Sequence, residues 1–309
     1  MSEPWIIPAA EAETDARPVL AELIGADYSA SALTPQRSDL APDVVRAALP
    51  RFAPWDSRDG TDLAGAWCVA DHGDAGGVGA KHWDDAVGRI GDLADVAFGT
   101  GSFVVALGGD HSVSWPLIAA AARATRSRHG RRARVGVIQL DVHHDVREIG
   151  SDGPSNGTPF RGLLERGVLE PDELVQIGIH PFANRRPLTE YCDKRGIRRI
   201  TLDDIARDGA DETAAIALAA LVEVDTIYLS IDIDVLDRAF APGTAAALPG
   251  GLDPRTMTRI VELVCADPRA MALDVVEFDP QRDVASVTAY AVAHAVMAGL
   301  AAVARRQAP

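Results

Sequence analysis

Five short apolar segments constrain the fold of this chain more than any other feature of its sequence. They are FVVALGGDHS (103–112), VGVIQLDVHHD (135–145), LVQIGIH (174–180), IYLSIDID (227–234) and ALDVVEF (272–278). Continuous apolar runs of this length are typical of strands that are buried on both faces of a parallel sheet. Segments with helical patterns separate them, which indicates right-handed βαβ units. We therefore predict an α/β fold in which helices flank a central, mainly parallel sheet.

The remaining sequence predicts a single catalytic domain over residues 1–309, because no linker, repeat or charge block is long enough to divide it. We expect the Pro- and acid-rich residues 1–20 to form an irregular N-terminal arm. A first strand is predicted at Leu20–Gly25 and an edge strand near Ala66–Ala70. Helices are predicted at 42–48, 82–98, 113–127, 158–167, 186–195, 212–222, 254–267 and 284–306.

Charge and cysteine usage restrict the partners and the compartment. The formal net charge of −15 argues against a nucleic acid or an anionic membrane as partner. The N-terminal segment lacks the basic and apolar regions of a signal peptide, and no apolar run reaches the ~18 residues of a membrane span. Cys68, Cys192 and Cys265 lie far apart, as expected of free thiols in a reducing compartment. We therefore expect a cytoplasmic protein.

Metal-binding side chains follow three of the apolar segments. They are His111, Asp141, His143, Asp145, Asp232 and Asp234. Ligands of open α/β sheets bind beyond the carboxyl ends of the strands, so these residues should converge. In an extended chain alternate residues share a face, which places Asp141, His143 and Asp145 on one side and His144 on the other. Each cluster alone would more often be a surface turn or a core pair, but burying so many carboxylates together requires cations. Carboxylate and imidazole donors suit two Mn²⁺, Fe²⁺ or Zn²⁺ ions.

Four motifs together resemble the ureohydrolase family of arginases, agmatinases and formimidoylglutamases. They are GGDHS (108–112), DVHHD (141–145), SIDIDVLDRAFAPGTAAALPGGL (230–252) and LDVVEFDP (273–280). The resemblance extends from about residue 20 to the C-terminus. It implies the three-layer arginase-type fold, two Mn²⁺ per subunit and a homo-oligomer, either a trimer or a hexamer.

The resemblance also implies a role for each candidate residue. His111 and Asp145 would bind one Mn²⁺, His143 and Asp234 the other, and Asp141 and Asp232 would bridge the two. Glu277 would hold the amidine or guanidine group, while hydroxide generated at the metals attacks its central carbon. The candidate catalytic residues are thus Glu277 and Asp145, and His180 is a third candidate as a proton carrier.

Several residues and one short motif bear on the substrate. Asn156 stands where arginases and agmatinases carry a histidine thought to shuttle protons, and an amide cannot shuttle a proton. His180 or water could replace that function. The Asp-x-Arg of Asp145 and Arg147, the Gly-Thr-Pro-Phe run and Asn184 resemble formimidoylglutamases.

A carboxylate-bearing substrate suits this pocket, because Arg147 would attract it and would repel the cationic tail of agmatine. The alternative for Arg147 is a surface ion pair with Glu148 or Asp152. The leading hypothesis is hydrolysis of N-formimidoyl-L-glutamate to L-glutamate and formamide. The alternatives are a guanidino-acid hydrolase, an agmatinase or an arginase that releases urea.

Other functional classes fit less well. Binuclear metallophosphoesterases normally carry Gly-Asn-His and further isolated histidines, which are not evident here. Deacetylases of related fold usually keep one zinc, and the six candidate ligands argue against that. A metal-binding pseudoenzyme is supported only by the missing shuttle histidine, and turnover of any C–N substrate would exclude it.

Overall fold

A nine-stranded, entirely parallel sheet forms the centre of the computed structural model, which describes residues 4–76, 83–151 and 153–307. The strands are β1 (Ile6–Pro8), β2 (Val19–Ala26), β3 (Trp55–Asp56), β4 (Thr61–Asp62), β5 (Cys68–Asp74), β6 (Phe103–Gly108), β7 (Val135–Leu140), β8 (Leu174–Ile179), β9 (Arg198–Thr201), β10 (Thr226–Asp232) and β11 (Ala270–Val276). Strands β3 and β4 form a separate antiparallel pair. The order in the large sheet is β1-β5-β2-β6-β11-β10-β7-β8-β9.

Helices cover both faces of the sheet. They are α1 (Ala9–Ala12), α2 (Ala41–Ala48), α3 (Leu63–Ala66), α4 (Trp83–Gly99), α5 (Ser114–His129), α6 (Pro159–Glu165), α7 (Arg186–Arg195), α8 (Leu202–Ala220), α9 (Pro254–Ala266) and α10 (Val287–Gln307). Val105 and Leu107 of β6 pack into one apolar core with α2, α8, α9 and α10. Val104 and Ala106 of the same strand pack into a second core with α4, α5, α6 and α7. The predicted three-layer α/β fold is confirmed.

The five apolar segments all form strands, and the two ends of the sheet differ from the prediction. Residues 6–12 form β1 and α1 instead of an irregular arm, since Trp5 and Ile7 are buried and β1 pairs with β5. The strand predicted at the edge near residues 66–70 is β5, which lies between β1 and β2. Strand β9 was not predicted. Residues 1–3 of the predicted arm and residue 82 of the predicted helix lie outside the described residues.

Of the predicted helices, α8 departs furthest from its expected bounds. Helix α8 begins at Leu202, ten residues before the predicted start, and it contains a break where Gly209 has a φ of 82°. Helix α10 is long and apolar enough to cross a membrane, but 83% of its most apolar window is buried against the rest of the protein. It packs against α9 and α2.

Candidate metal centre and substrate pocket

Four adjacent strands, β6, β11, β10 and β7, carry the candidate functional residues at their carboxyl ends. His111 follows β6, the segment Asp141–Asp145 follows β7, Asp232 ends β10, and Glu277 follows β11. Strands β10 and β11 are inserted between β6 and β7, so residues distant in sequence end at one edge of the sheet. This is where ligands bind in open α/β sheets.

Aspartate side chains organise the turns that follow three of these strands. Each accepts a hydrogen bond from the backbone N–H two residues further on, at 2.6–3.0 Å. The pairs are Asp110 with Ser112, Asp141 with His143, and Asp232 with Asp234. Short carboxylate side chains stabilise such turns by satisfying N–H groups that the ended strand no longer pairs. The same residue type therefore shapes the turn and supplies negative charge.

Strand β7 ends at Leu140, so the predicted alternation does not continue through residue 145. Asp141, His143 and Asp145 nevertheless come together, because the chain turns at Asp141 and Asp145 adopts a φ of 48°. Glu277 has a φ of 66°. Left-handed backbone at a residue other than glycine costs about 1–3 kcal/mol and is concentrated at functional sites.

The candidate ligands form two groups that share Asp141. The first consists of His111, Asp141, Asp145 and Asp232, and the second of Asp141, His143 and Asp234. Nδ1 of His111 lies 2.9 Å from Asp145, 3.2 Å from Asp141 and 3.3 Å from Asp232. Nδ1 of His143 lies 2.9 Å from Asp234 and 3.4 Å from Asp141. Asp141 belongs to both groups, with its Oδ2 near His111 and its Oδ1 near His143.

Hydrogen bonding around His111 fits a metal ligand. Its Nε2 lies 3.1 Å from the Ser230 hydroxyl, which in turn donates to Asp274 at 2.8 Å. Ser230 has only one proton to donate, so it accepts from Nε2–H of the neutral ring. Nδ1 then presents its lone pair to the carboxylates, and this fully buried atom has no hydrogen-bond partner among the described residues. Such fixing of one ring nitrogen is typical of metal-bound histidines.

Burial of the carboxylates calls for cations. Burial, and then the charges of Asp234 and Asp141, raises the pKa of Asp232 well above its ordinary value. Burial and the charge of Asp141 raise the pKa of Asp145 as well. Burial alone would lower the pKa of His143, but the carboxylates of Asp234 and Asp141 raise it to about 12. Divalent cations would replace these protons and offset the negative charge.

A chain of hydrogen-bonded buried amides fixes the carboxylate of Asp141, which the two groups share. Gln139 donates to Asp141 at 2.7 Å, and Gln176 donates to Gln139 at 2.8 Å. The oxygen of Gln176 lies 2.8 Å from Nδ1 of His144, which points away from the centre as the sequence predicted. His144 also contacts Thr189 at 3.2 Å. The chain fixes the loop after β7 to strand β8.

Glu277 lies beside the two groups and is 3% exposed. Its Oε1 accepts the backbone N–H of His111 at 2.7 Å and the side-chain N–H of Asn156 at 3.1 Å. Its Oε2 accepts from Gln36 at 2.7 Å. The backbone N–H of Glu277 donates to the backbone oxygen of Gly109 at 2.9 Å. A side chain at position 109 would collide with the backbone of Tyr28. The loop after β2 therefore lies directly against Glu277.

A cavity of about 160 Å³ joins these groups to the surface. Its lining includes Glu277, Arg147 and Asn156 together with His143, Asp145, Asp232 and Asp234. Among the described residues no carboxylate lies within ion-pair distance of Arg147, and Glu148 instead pairs with Arg161 at 3.4 Å. Asp152, the other alternative partner of Arg147, lies outside the described residues. Arg147 and Asn156 thus share a cavity with the candidate metal ligands.

His180 and Asn184 are not brought into this cavity. His180 contacts the backbone oxygen of Pro249 at 3.1 Å and borders a neighbouring cavity with His144 and Asn184. Asn184 accepts from the backbone of His144 and donates to that of Val142, at 2.9 Å in both cases. Its observed role is to hold the loop after β7. Neither side chain is placed to contact a substrate at Glu277.

Sequence reasoning missed the amide and hydroxyl groups around the centre, namely Gln36, Gln139, Gln176 and Ser230. Gln139 and Gln176 are each the single polar residue of an otherwise apolar strand, Ser230 lies within β10, and Gln36 lies in the polar loop after β2. The only available signal was a buried polar residue on a predicted strand, which requires a partner.

Comparison with known proteins places the chain in a family. Residues 20–301 match the model of the arginase family. The chain is 38% identical over 281 residues to formimidoylglutamase of Halalkalibacterium halodurans, covering 89% of this chain and 84% of that one. It is 33% identical over 210 residues to guanidinopropionase of Pseudomonas aeruginosa, covering 66% and 62% of the two chains. The crystal structure of Bacillus subtilis formimidoylglutamase superposes with a TM-score of 0.87 at 29% identity, covering 96% of this chain and 90% of that one. The chain therefore belongs to the arginase family of metal-dependent hydrolases.

Proposed function

We propose that this chain hydrolyses N-formimidoyl-L-glutamate to L-glutamate and formamide. The observation that carries the proposal is one cavity lined by Glu277, by members of both groups of metal ligands and by Arg147, which has no ion-pair partner among the described residues. A cationic side chain in the lining of the cavity suits a substrate whose tail bears carboxylates. The similarity to formimidoylglutamases supports the same substrate.

The proposed cofactor is a pair of Mn²⁺ ions. His111 and Asp145 would bind one ion, His143 and Asp234 the other, and Asp141 and Asp232 would lie between them. The lone pair of His111, the carboxylate and imidazole donors and the presence of Asp141 in both groups support this assignment, while Asp232 lies in the first group. When bound, such ions lower the pKa of water and so supply a hydrolytic nucleophile near neutral pH.

The residues of the chain would position the substrate and move a proton. Glu277 pairs with the planar amidinium and holds its carbon against the metal centre. Arg147 pairs with a carboxylate of the glutamate tail. Asp145 carries a proton from the attacking water to the departing amine, because the C–N bond breaks to leave an amine that must be protonated. Asn156, an amide, cannot carry that proton, and instead it holds Glu277.

The proposal extends to the organisation of the whole protein. We expect one catalytic domain, in a cytoplasmic homo-oligomer of three or six subunits, that acts on a small molecule and binds neither nucleic acid nor membrane. Light scattering coupled to size-exclusion chromatography measures the oligomer size directly.

The proposal is tested with Mn²⁺-loaded protein and separate reactions with N-formimidoyl-L-glutamate, 3-guanidinopropionate, agmatine and arginine. Formamide and urea are quantified in each. Formamide from N-formimidoyl-L-glutamate at a higher initial rate than any urea release is the expected result.

A guanidino-acid hydrolase is the second candidate, because Arg147 suits any carboxylate tail and guanidinopropionase is among the similar proteins. Urea from 3-guanidinopropionate without formamide would establish that function instead. No product from any substrate would support a metal-binding pseudoenzyme.

A further inference from the structure

The side-chain amide of Gln36 is buried beside Glu277, and among the described residues only its nitrogen has a hydrogen-bond partner. Its nitrogen donates to Oε2 of Glu277 at 2.7 Å, and the residue is 9% exposed. Its oxygen is buried and has no partner among the described residues. Gln36 lines the same cavity as Glu277, Asp145 and Arg147. A buried acceptor without a partner costs about 1–3 kcal/mol, so a ligand that donates to it is favoured.

The loop that carries Gln36 is fixed in place. Arg282 donates to the backbone oxygen of Pro35 at 2.9 Å and pairs with Asp279. Arg37 pairs with Asp39, which also accepts from Ser29 at 2.8 Å. These bonds hold the segment on both sides of Gln36. The amide is therefore part of a formed pocket.

The hydrogen bonds that Glu277 accepts from the protein occupy most of its acceptor positions. A carboxylate has about four acceptor positions, two on each oxygen. His111 and Asn156 occupy both positions of Oε1, and Gln36 occupies one of the two on Oε2. One position remains, so Glu277 alone cannot accept two N–H groups through its two oxygens. A planar amidinium presents two such groups side by side and needs a second acceptor.

We infer that Gln36 is a substrate-binding residue whose amide oxygen, together with Oε2 of Glu277, accepts the N–H groups of the amidine. The donor bond to Glu277 sets the direction of the amide, because its oxygen cannot face a carboxylate. The amide oxygen and Oε2 then form an acceptor pair built from two residues. This inference rests on the proposed function for its substrate class, but it applies to any amidinium or guanidinium that binds at Glu277.

The test is calorimetric titration of Mn²⁺-loaded protein with acetamidinium, which lacks the tail that Arg147 would bind. In Gln36→Met, which keeps length but not polarity, the Kd is expected to rise about 10- to 100-fold, the loss expected for one hydrogen bond to a charged group. Gln36→Glu keeps an acceptor and loses the donor, so it should bind acetamidinium more tightly than Gln36→Met. Gln281→Met, at an exposed glutamine, is the control and should match the wild type.

Equal affinity of Gln36→Met and wild type, or no binding by wild type, would overturn the inference. Equal losses in Gln36→Met and Gln36→Glu would also overturn it, because they would mean that Gln36 acts only as a donor to Glu277. Metal content and the unfolding midpoint are measured for each variant, so that loss of metal or of folding is separated from loss of acetamidinium binding. The formamide and urea assay is separate, so release of urea alone would refute the proposed substrate while leaving the Gln36 result standing.

Discussion

The geometry of Glu277 depends on three donors from three separate segments of the chain, those of Gln36, His111 and Asn156. Replacement by glutamine keeps the shape of the side chain and removes the charge that holds a cationic substrate. We expect Glu277→Gln to lower kcat/KM roughly 10²- to 10³-fold, as for loss of one oriented electrostatic group in an active site. Initial rates and metal content measure this, and a variant with wild-type rate would contradict the role.

Arg147 provides a second test at the scale of single residues. Arg147→Met should raise KM for N-formimidoyl-L-glutamate about 10- to 100-fold, since one charge-assisted hydrogen bond is worth roughly 1.5–3 kcal/mol. Acetamidinium, which has no carboxylate, should bind with unchanged affinity. Arg186→Met is the matched control, because that side chain is 89% exposed and pairs with Glu190. An equal loss for acetamidinium would mean that the substitution disturbs the pocket itself.

The positions of the six candidate ligands were predictable because each lies at the end of an apolar segment. Parallel strands of one sheet end at one edge, which places His111 and Asp234 together despite their separation in sequence. The supporting amides were not predictable. A single glutamine in a loop, such as Gln36, has the same sequence pattern whether it faces solvent or a carboxylate.

At the scale of elements, the amide chain between β7 and β8 should contribute to stability. Gln176→Leu would remove the hydrogen-bond partner of Nδ1 of His144 and of the side-chain oxygen of Gln139, both of which are buried. We expect the free energy of unfolding to fall by about 2–4 kcal/mol, because each unsatisfied buried group costs about 1–3 kcal/mol. Urea denaturation measures the change. Gln281→Leu, at an exposed position, is the control, and equal midpoints for both variants would contradict a structural role for the chain.

The elements at the ends of the sheet were the least predictable. Strand β1 has three residues, and only Ile7 of them is buried. Strand β9 reads Arg-Arg-Ile-Thr and buries Ile200 alone. Edge strands bury little, so they lack the long apolar run that identified the central strands. The central strands, which position the site, carry the strongest sequence signal.

At the scale of the whole molecule, metal binding should depend on pH. The carboxylates around the centre raise the pKa of His143 to about 12 and that of His111 well above its ordinary value, despite the opposing effect of burial. Protons therefore compete with a cation for the ring nitrogens that face the carboxylates. Mn²⁺ affinity should fall as the pH falls, and binding should release protons. Titrations at about pH 6 and about pH 8 in two buffers measure both, and a pH-independent affinity would contradict the assignment.

Removal of the metal should destabilise the protein, because cations that bind only the folded chain stabilise it by mass action. We expect a chelator to lower the Tm and Mn²⁺ to restore it in proportion to the logarithm of its free concentration. Differential scanning calorimetry measures the shift. In Asp234→Asn, which weakens one group of ligands, the shift should be smaller than in the wild type.

The most direct test of the central claim is a competition in one vessel. Mn²⁺-loaded protein is given equimolar N-formimidoyl-L-glutamate, 3-guanidinopropionate and agmatine, and formamide and urea are followed by ¹³C NMR. The proposed pairing of Glu277 with an amidinium and of Arg147 with an anionic tail predicts that formamide accumulates first and in excess. Urea in excess of formamide would contradict the account.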